Sequence, residues 1–100
     1  MTHAVKSDDL VRRIAVWFLG SLMERPSVKS LGLTLDEASA QAFVEGDKHQ
    51  DIVLALAGQG WCYSKHVNAD TTILRKGDTG GVIVTYADNR TTLKVIYEQT

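Results

Sequence analysis

The sequence predicts an α+β fold in which three N-terminal helices pack on a C-terminal antiparallel β-meander of three to four strands. Helical apolar periodicity and helix-capping patterns occupy roughly the first sixty residues. The last forty or so contain extended runs of alternating character, separated by turn-forming residues. One hundred residues suffice for one domain, so we expect residues 1–100 to form a single unit in which residues 1–6 are frayed.

Ser7 and Pro26 delimit the first predicted helix. Ser7 is a favoured N-cap residue, and the residue before a proline is pushed out of the α-helical region. The apolar residues that recur at helical spacing are Leu10, Val11, Ile14, Ala15, Trp17, Phe18 and Leu22. A stripe wider than ~100° is typical of a helix that is buried on more than one side. We therefore expect this helix to be the central core element, with Trp17 and Phe18 inside the core.

Val16 and Met23 fall on the same side of this helix as Arg12 and Arg13. Two interpretations remain open. The two apolar residues either form the margin of a wide core stripe or belong to a partly exposed strip that could contact a partner or a second copy of the chain. We take these four residues as a second candidate interface, which leaves a homodimer open.

The second helix is predicted from a capping box. Residues 34–37 read Thr-Leu-Asp-Glu, in which the hydroxyl and the last carboxylate can each satisfy a free backbone N–H group. The helix would end at Gly46, a suitable residue after a helix C-terminus. Glu37, Gln41 and Glu45 would then lie at i, i+4 and i+8, which places them in one stripe on the outward face.

The third helix is predicted to start at a second capping box, formed by Asp47 and Gln50, and to run to about residue 57. Ile52 and Leu56 lie on one face of it. We expect one core that contains Trp17, Phe18, Ile52, Leu56, Val84 and Leu93.

Four strands are predicted at residues 61–67, 71–76, 82–86 and 91–98. In the third and fourth strands, period-two alternation assigns Val84 and Leu93 to the face that meets the helices. Gly80 and Gly81 could supply the backbone freedom that a tight hairpin turn requires.

The net charge of −1 conceals an acidic middle segment. Residues 34–58 carry five carboxylates against the single cation Lys48. The segment before it and the segment after it are both mildly basic. An acidic surface of this kind suits a basic partner by charge complementarity, although a solvated helix face with no partner has the same composition.

Few residues are candidates for chemistry. Cys62 is the single cysteine, so an internal disulfide is excluded. His66 shares the face of its predicted strand but lies ~13 Å away at ~3.3 Å per residue. His49 could approach Cys62 from the third helix, which keeps a small enzyme or enzyme subunit as a second alternative. The histidine and cysteine spacings match no zinc site, and we predict no metal site and no cofactor.

The sequence carries neither a signal-peptide pattern nor a run approaching the ~20 apolar residues that cross a bilayer. We therefore expect a cytoplasmic protein with no membrane partner.

We interpret the chain as a non-enzymatic protein-interaction module that regulates or inhibits a larger, nucleic-acid-handling protein with a basic surface. Antitoxins, immunity proteins and phage inhibitors of the anti-CRISPR kind belong to this class. The predicted partner-binding residues are Asp36, Glu37, Gln41, Glu45, Asp47 and Asp51.

The first alternative is a winged-helix regulator that binds nucleic acid. The order of elements, helices followed by a hairpin, is the order of that fold. Its recognition helix would be residues 48–58, which lie inside the acidic segment, and phosphate binding requires cations. Direct nucleic-acid binding is therefore disfavoured. A basic patch elsewhere would have to come from Arg12, Arg13, Arg75, Lys76 and Arg90.

Overall fold

A computed structural model describes residues 2–77 and 80–96, including all of their side chains except those of residues 2–8 and 65–67. The elements in chain order are α1 (Thr2–Met23), α2 (Pro26–Lys29), β1 (Thr34–Asp36), β2 (Gln41–Glu45), α3 (His49–Ala57), β3 (Cys62–Asn68), β4 (Thr71–Arg75), β5 (Gly81–Ala87) and β6 (Arg90–Ile96). The six strands form one antiparallel sheet in the order β1-β2-β6-β5-β4-β3. The helices cover one face of this sheet.

The predicted arrangement of three helices on a three- to four-stranded meander is wrong, because residues 34–45 form a β-hairpin instead of a helix. The Asp36 carboxylate accepts hydrogen bonds from the backbone N–H of Ala38 (3.2 Å) and the hydroxyl of Ser39 (2.8 Å). This is an Asx-type turn, which competes with helix formation. Ala40 then adopts a left-handed φ of 56°, which reverses the chain.

Tertiary pairing completes the hairpin. The run Gln-Ala-Phe-Val-Glu alternates between the two sheet faces, and β2 pairs along its whole length with β6. Ala42 lies opposite Leu93, and both are completely buried. Pairing with a buried strand outweighs the helix-capping pattern, since helix propensity is only a weak local preference.

One hydrophobic core lies between the helices and the inner face of the sheet. Its buried members are Leu19, Leu22, Val28, Ala42, Ile52, Leu56, Trp61, Leu74, Val82, Val84 and Leu93. Ile52, Leu56, Val84 and Leu93 were predicted there, and Phe18 packs against the core with its ring edge-on to Trp61 at 5.8 Å between centroids. Trp17 was also predicted there, but 71% of its surface is exposed.

The helix boundaries differ in part from the expected ones. α1 begins at Thr2, ahead of the predicted cap at Ser7. The prediction that residues 1–6 are frayed falls on Met1 and on the side chains of residues 2–6, which lie outside the described part of the chain. α3 forms close to the expected span, but Lys48 is its N-cap residue and supplies no side-chain cap.

Four strands form near the predicted C-terminal positions, as β3 to β6. A two-residue turn at Asp88 and Asn89 joins β5 to β6, and both residues have positive φ (55° and 60°), as a type I′ turn requires. The predicted glycine turn includes residues 78 and 79, which are outside the described residues. Both edge strands are poor templates for further pairing, because β1 has three residues and β3 contains two register shifts.

Thr91 joins β6 to the connection between β2 and α3. Its side chain is completely buried, and its hydroxyl donates to the Gly46 carbonyl (2.8 Å) while accepting from the Lys48 backbone N–H (2.8 Å). Thr91→Val keeps the shape and removes both bonds. We expect it to lower the free energy of unfolding by ~1–3 kcal/mol, measured by urea denaturation.

Thr92→Val is the matched control, because Thr92 lies on the opposite face and makes no side-chain hydrogen bond among the described residues. It should change stability by no more than about 0.5 kcal/mol. If the two variants lose the same free energy of unfolding, the Thr91 hydroxyl does not stabilise the connection between β2 and α3.

Candidate functional site

The six predicted partner-binding residues do not form one stripe. Asp36, Glu37 and Gln41 lie at the closed end of the β1–β2 hairpin, whereas Glu45 lies at its open end. Gln41 and Glu45 point to the same face of β2 but are ~13 Å apart along the strand. Without the helix, the i, i+4, i+8 relation has no structural meaning, and the six residues divide into two groups.

The second group belongs to an acidic surface that we call the acidic end. Glu45, Asp47 and Asp51 lie there, at the end of the sheet where β2 leaves and α3 begins. Asp70, from the β3–β4 turn, and Asp88, from the β5–β6 turn, lie at the same end. All five side chains are exposed.

Backbone hydrogen bonds hold the connections of the acidic end together. The Gly46 N–H donates to the Asn89 carbonyl (2.8 Å), which joins the end of β2 to the β5–β6 turn. The Tyr86 N–H donates to the Asp70 carbonyl (2.9 Å), which joins the β3–β4 turn to β5. The β5–β6 hairpin is thus bonded both to the residue that follows β2 and to the β3–β4 turn.

Asp70 and Asp88 are not among the predicted partner-binding residues, because turn-forming residues by themselves predict only where the chain reverses. A signal was present, however. In an antiparallel meander every second turn lies at the same end of the sheet. The 68–70 and 87–90 turns therefore share an end, and each contains one aspartate.

Two of the five carboxylates have local structural roles. Glu45 forms an ion pair with Arg90 (3.0 Å), and the Arg90 guanidinium lies 4.3 Å from the centre of the Phe43 ring. The Asp47 carboxylate accepts a hydrogen bond from the His49 backbone N–H (3.3 Å) at the start of α3. Both contacts are exposed, so each contributes little to stability.

The other three, Asp51, Asp70 and Asp88, make no side-chain hydrogen bond or ion pair within the described residues. Among the described side chains, the cations at this end are Lys48 and Arg90, the latter paired with Glu45. No three His, Cys, Asp or Glu side chains of the described chain are grouped so that they could hold a metal ion. The acidic end is therefore a spread of exposed negative charge.

The second candidate interface is only partly available. Arg12 and Arg13 are exposed, but both form ion pairs with Asp9 (2.8 and 3.1 Å) on the same helix. Val16 and Met23 are half-buried, and Met23 packs against the core. These observations favour the interpretation of Val16 and Met23 as the margin of the core.

A different side of α1 exposes large apolar residues. Leu10, Ile14 and Trp17, which we call the outer stripe, are 57%, 46% and 71% exposed. The helix is held to the sheet by Ala15, Leu19 and Leu22 on its opposite side. The sequence contains both sets at helical spacing, so periodicity alone did not identify which set would be buried.

The His49 and Cys62 side chains are not brought together. The His49 ring shares a hydrogen bond with the Thr72 hydroxyl (3.0 Å) on the inner face of the sheet. Cys62 pairs in register with Arg75, which lies on the outer face, and its thiol contacts the Gly60 carbonyl at 3.8 Å. The His66 side chain is outside the described residues.

An apolar groove of about 470 Å³ lies between α3 and the β3–β4 hairpin. Its volume is in the range of ligand pockets. Leu54 and Tyr63 form its rim and are 61% and 63% exposed, so the groove is shallow. The His49 ring in its wall already shares a hydrogen bond with Thr72. Among the described side chains that line the groove, the polar ones are those of His49, Gln50 and Tyr63.

The geometry does not favour the winged-helix alternative. The helix before α3 is the four-residue α2, and β1 and β2 separate the two, so α3 is not the second helix of a helix-turn-helix. The predicted basic residues are distributed over several elements: Arg12, Arg13, Arg75, Lys76 and Arg90.

Comparisons with protein-family models, with curated proteins and with solved structures find no match. No helix in the described part of the chain is long and apolar enough to span a lipid bilayer. A function must therefore be argued from the surfaces themselves.

Proposed function

We propose that the protein is a non-enzymatic interaction module that acts in the cytoplasm as a regulator or inhibitor of a larger, nucleic-acid-handling protein. The acidic end is its contact surface, and the partner presents a basic surface. This role is of the kind that antitoxins, immunity proteins and phage inhibitors perform. The observation that carries the proposal is that carboxylates from three separate segments of the chain (residues 45–51, 70 and 88) lie at one end of the sheet.

The partner class follows from the charge. A surface that binds nucleic acid must carry an excess of lysine and arginine, because phosphate contacts supply most of the affinity. Exposed carboxylates can occupy such a surface and compete with the nucleic acid. The carboxylates of Asp51, Asp70 and Asp88 suit this role, since within the described residues they have no hydrogen bond or ion pair that binding would have to break.

A pulldown from nuclease-treated native lysate, followed by mass spectrometry, identifies the partner. The decisive comparison uses Asp51→Asn/Asp88→Asn and measures association by surface plasmon resonance. Asparagine also tolerates the left-handed backbone of residue 88, so the fold is retained. We expect the association rate to fall roughly two- to tenfold at low salt, and the difference to shrink as salt screens the charges.

Glu24→Gln/Glu37→Gln is the matched control, because it changes the net charge equally at exposed sites away from the acidic end. Glu37, although predicted from the sequence to bind the partner, lies at the closed end of the β1–β2 hairpin and is outside the proposed contact surface. It should leave the association rate nearly unchanged. If both double variants slow association equally, only net charge matters and the acidic end is not the contact surface. If partners are captured from untreated lysate but not after nuclease treatment, the association runs through nucleic acid, and direct nucleic-acid binding is favoured instead.

A further inference from the structure

We propose that the outer stripe of α1 (Leu10, Ile14 and Trp17) is the interface between two copies of this chain, packed antiparallel about a two-fold axis near Ile14. This inference is independent of the proposed function, because the acidic end is built from other elements. It starts from an unusual property of α1. The helix has two apolar sides, roughly 140° apart at 3.6 residues per turn, and the sheet covers only one of them.

The size of the stripe matches what a dimer requires. An aromatic side chain buries ~150–250 Å², and Trp17 is 71% exposed. With the half-exposed Leu10, Ile14 and neighbouring Val11, each copy offers roughly 400 Å² of apolar surface, which is within the range of functional patches. Two copies would cover about 800 Å². Since ~60% of an interface is apolar, the total approaches ~1,300 Å², which lies in the range of specific interfaces.

The spacing suits pairing of two helices. Leu10, Ile14 and Trp17 follow the i, i+4, i+7 pattern of d, a and d positions in a heptad. A groove of about 230 Å³ beside the stripe, between α1 and the end of β6, offers room for side chains of the second helix.

An antiparallel arrangement fits the side chains and the dipoles. Around an axis at Ile14, each Leu10 meets Trp17 of the other copy, so a bulky residue packs against a smaller one, while Ile14 meets its own equivalent. Such a surface is self-complementary, as a two-fold interface requires. Antiparallel helices also place the positive end of each dipole near the negative end of the other.

Charge does not oppose this association. The stripe itself contains no charged residue. Arg12, Arg13 and Asp9 line a depression beside Trp17, and there both arginines form ion pairs with Asp9. The net charge of −1 produces little repulsion between copies. A different protein could also cover an apolar stripe, and the experiment separates that case from self-association.

Sedimentation equilibrium over a range of protein concentrations measures the dimer directly. We expect the unmodified protein to dimerise, and Trp17→Ala and Ile14→Lys each to weaken the dimer at least tenfold with unchanged circular dichroism, because both side chains are exposed. Leu54→Lys, at an equally exposed apolar position on α3, is the control and should leave the dimer intact. A protein that is monomeric at every concentration, or a dimer that tolerates Ile14→Lys, would overturn the proposal.

Cross-linking tests the arrangement. In a Cys62→Ser background, Ile14→Cys should form a disulfide-linked dimer under mild oxidation, since equivalent positions meet at the axis. Leu10→Cys should not, because the two equivalent Cα atoms would be ~12 Å apart along the antiparallel helices, beyond the ~7 Å limit of a disulfide. Cross-linking at both positions would indicate parallel helices, and cross-linking at neither would place the contact elsewhere. Either result contradicts the proposed interface.

Discussion

Leu56→Ala should lower the free energy of unfolding by ~2–5 kcal/mol, among the largest effects of any single substitution in this chain. Leu56 is completely buried between α3 and the sheet. Alanine removes three carbon atoms from a site that surrounding side chains and strands hold in place, so a cavity remains. The change is measured by urea denaturation followed by circular dichroism, with the slope of the transition used to confirm two-state unfolding.

Leu54→Ala is the matched control, because the same substitution is made two residues away on the same helix. Leu54 is 61% exposed, and alanine has the higher helix propensity. The control should therefore stay within about 0.5 kcal/mol of the unmodified protein. Similar losses for the two leucines would show that α3 does not present Leu56 to the core.

Gly81→Ala should also destabilise the protein, by ~1–3 kcal/mol, because β5 approaches β4 too closely to admit a side chain. A Cβ atom built at residue 81 would lie 2.5 Å from the Leu74 carbonyl oxygen and 3.2 Å from Cγ of Arg75. The first contact is with backbone inside the β4–β5 ladder, so relief requires the strands to separate where Gly81 pairs with Arg75. Urea denaturation again provides the measurement.

Gly20→Ala should have the opposite sign. Gly20 lies within α1, and no atom is within 4 Å of the position that its Cβ would occupy. Alanine removes the conformational entropy penalty of a glycine inside a helix, so we expect a gain of ~0.5–1 kcal/mol. If alanine at residue 81 proves as stabilising as alanine at residue 20, the close approach of β5 to β4 is not present in solution.

The strands β3 to β6 could be predicted because their evidence is local and agrees with their packing. Alternation placed Val84 and Leu93 on the inner face, and turn-forming residues marked the reversals. Asp88 and Asn89 are residues that tolerate positive φ, and they adopt it here. In this part of the chain, the local sequence pattern and the tertiary packing both favour extended strands joined by tight turns.

The hairpin of residues 34–45 could not be predicted from the capping box, because the sequence supports two local structures. The Thr-Leu-Asp-Glu pattern favours a helix start, whereas the Asp36–Ser39 contact favours a turn. Local preferences of this kind differ by less than about 1 kcal/mol per residue. Pairing with β6 decides between the helix and the hairpin. Only if residues 41–45 are extended does β6 have a hydrogen-bonded neighbour on that side and is Ala42 buried.

The candidate surfaces, like the fold, depend partly on the local sequence and partly on the tertiary structure. The sequence by itself determined that residues 34–58 are acidic, that α1 carries apolar residues around much of its circumference, and that strands follow α3. Only the tertiary structure placed Asp70 and Asp88 at the same end of the sheet as Glu45, since the pairing of β2 with β6 brings distant parts of the chain into one sheet. It likewise decided that Leu19 is buried while Trp17 is exposed. The periodicity of a helix defines which residues share a side, but the surface against which the helix packs determines which side becomes the core.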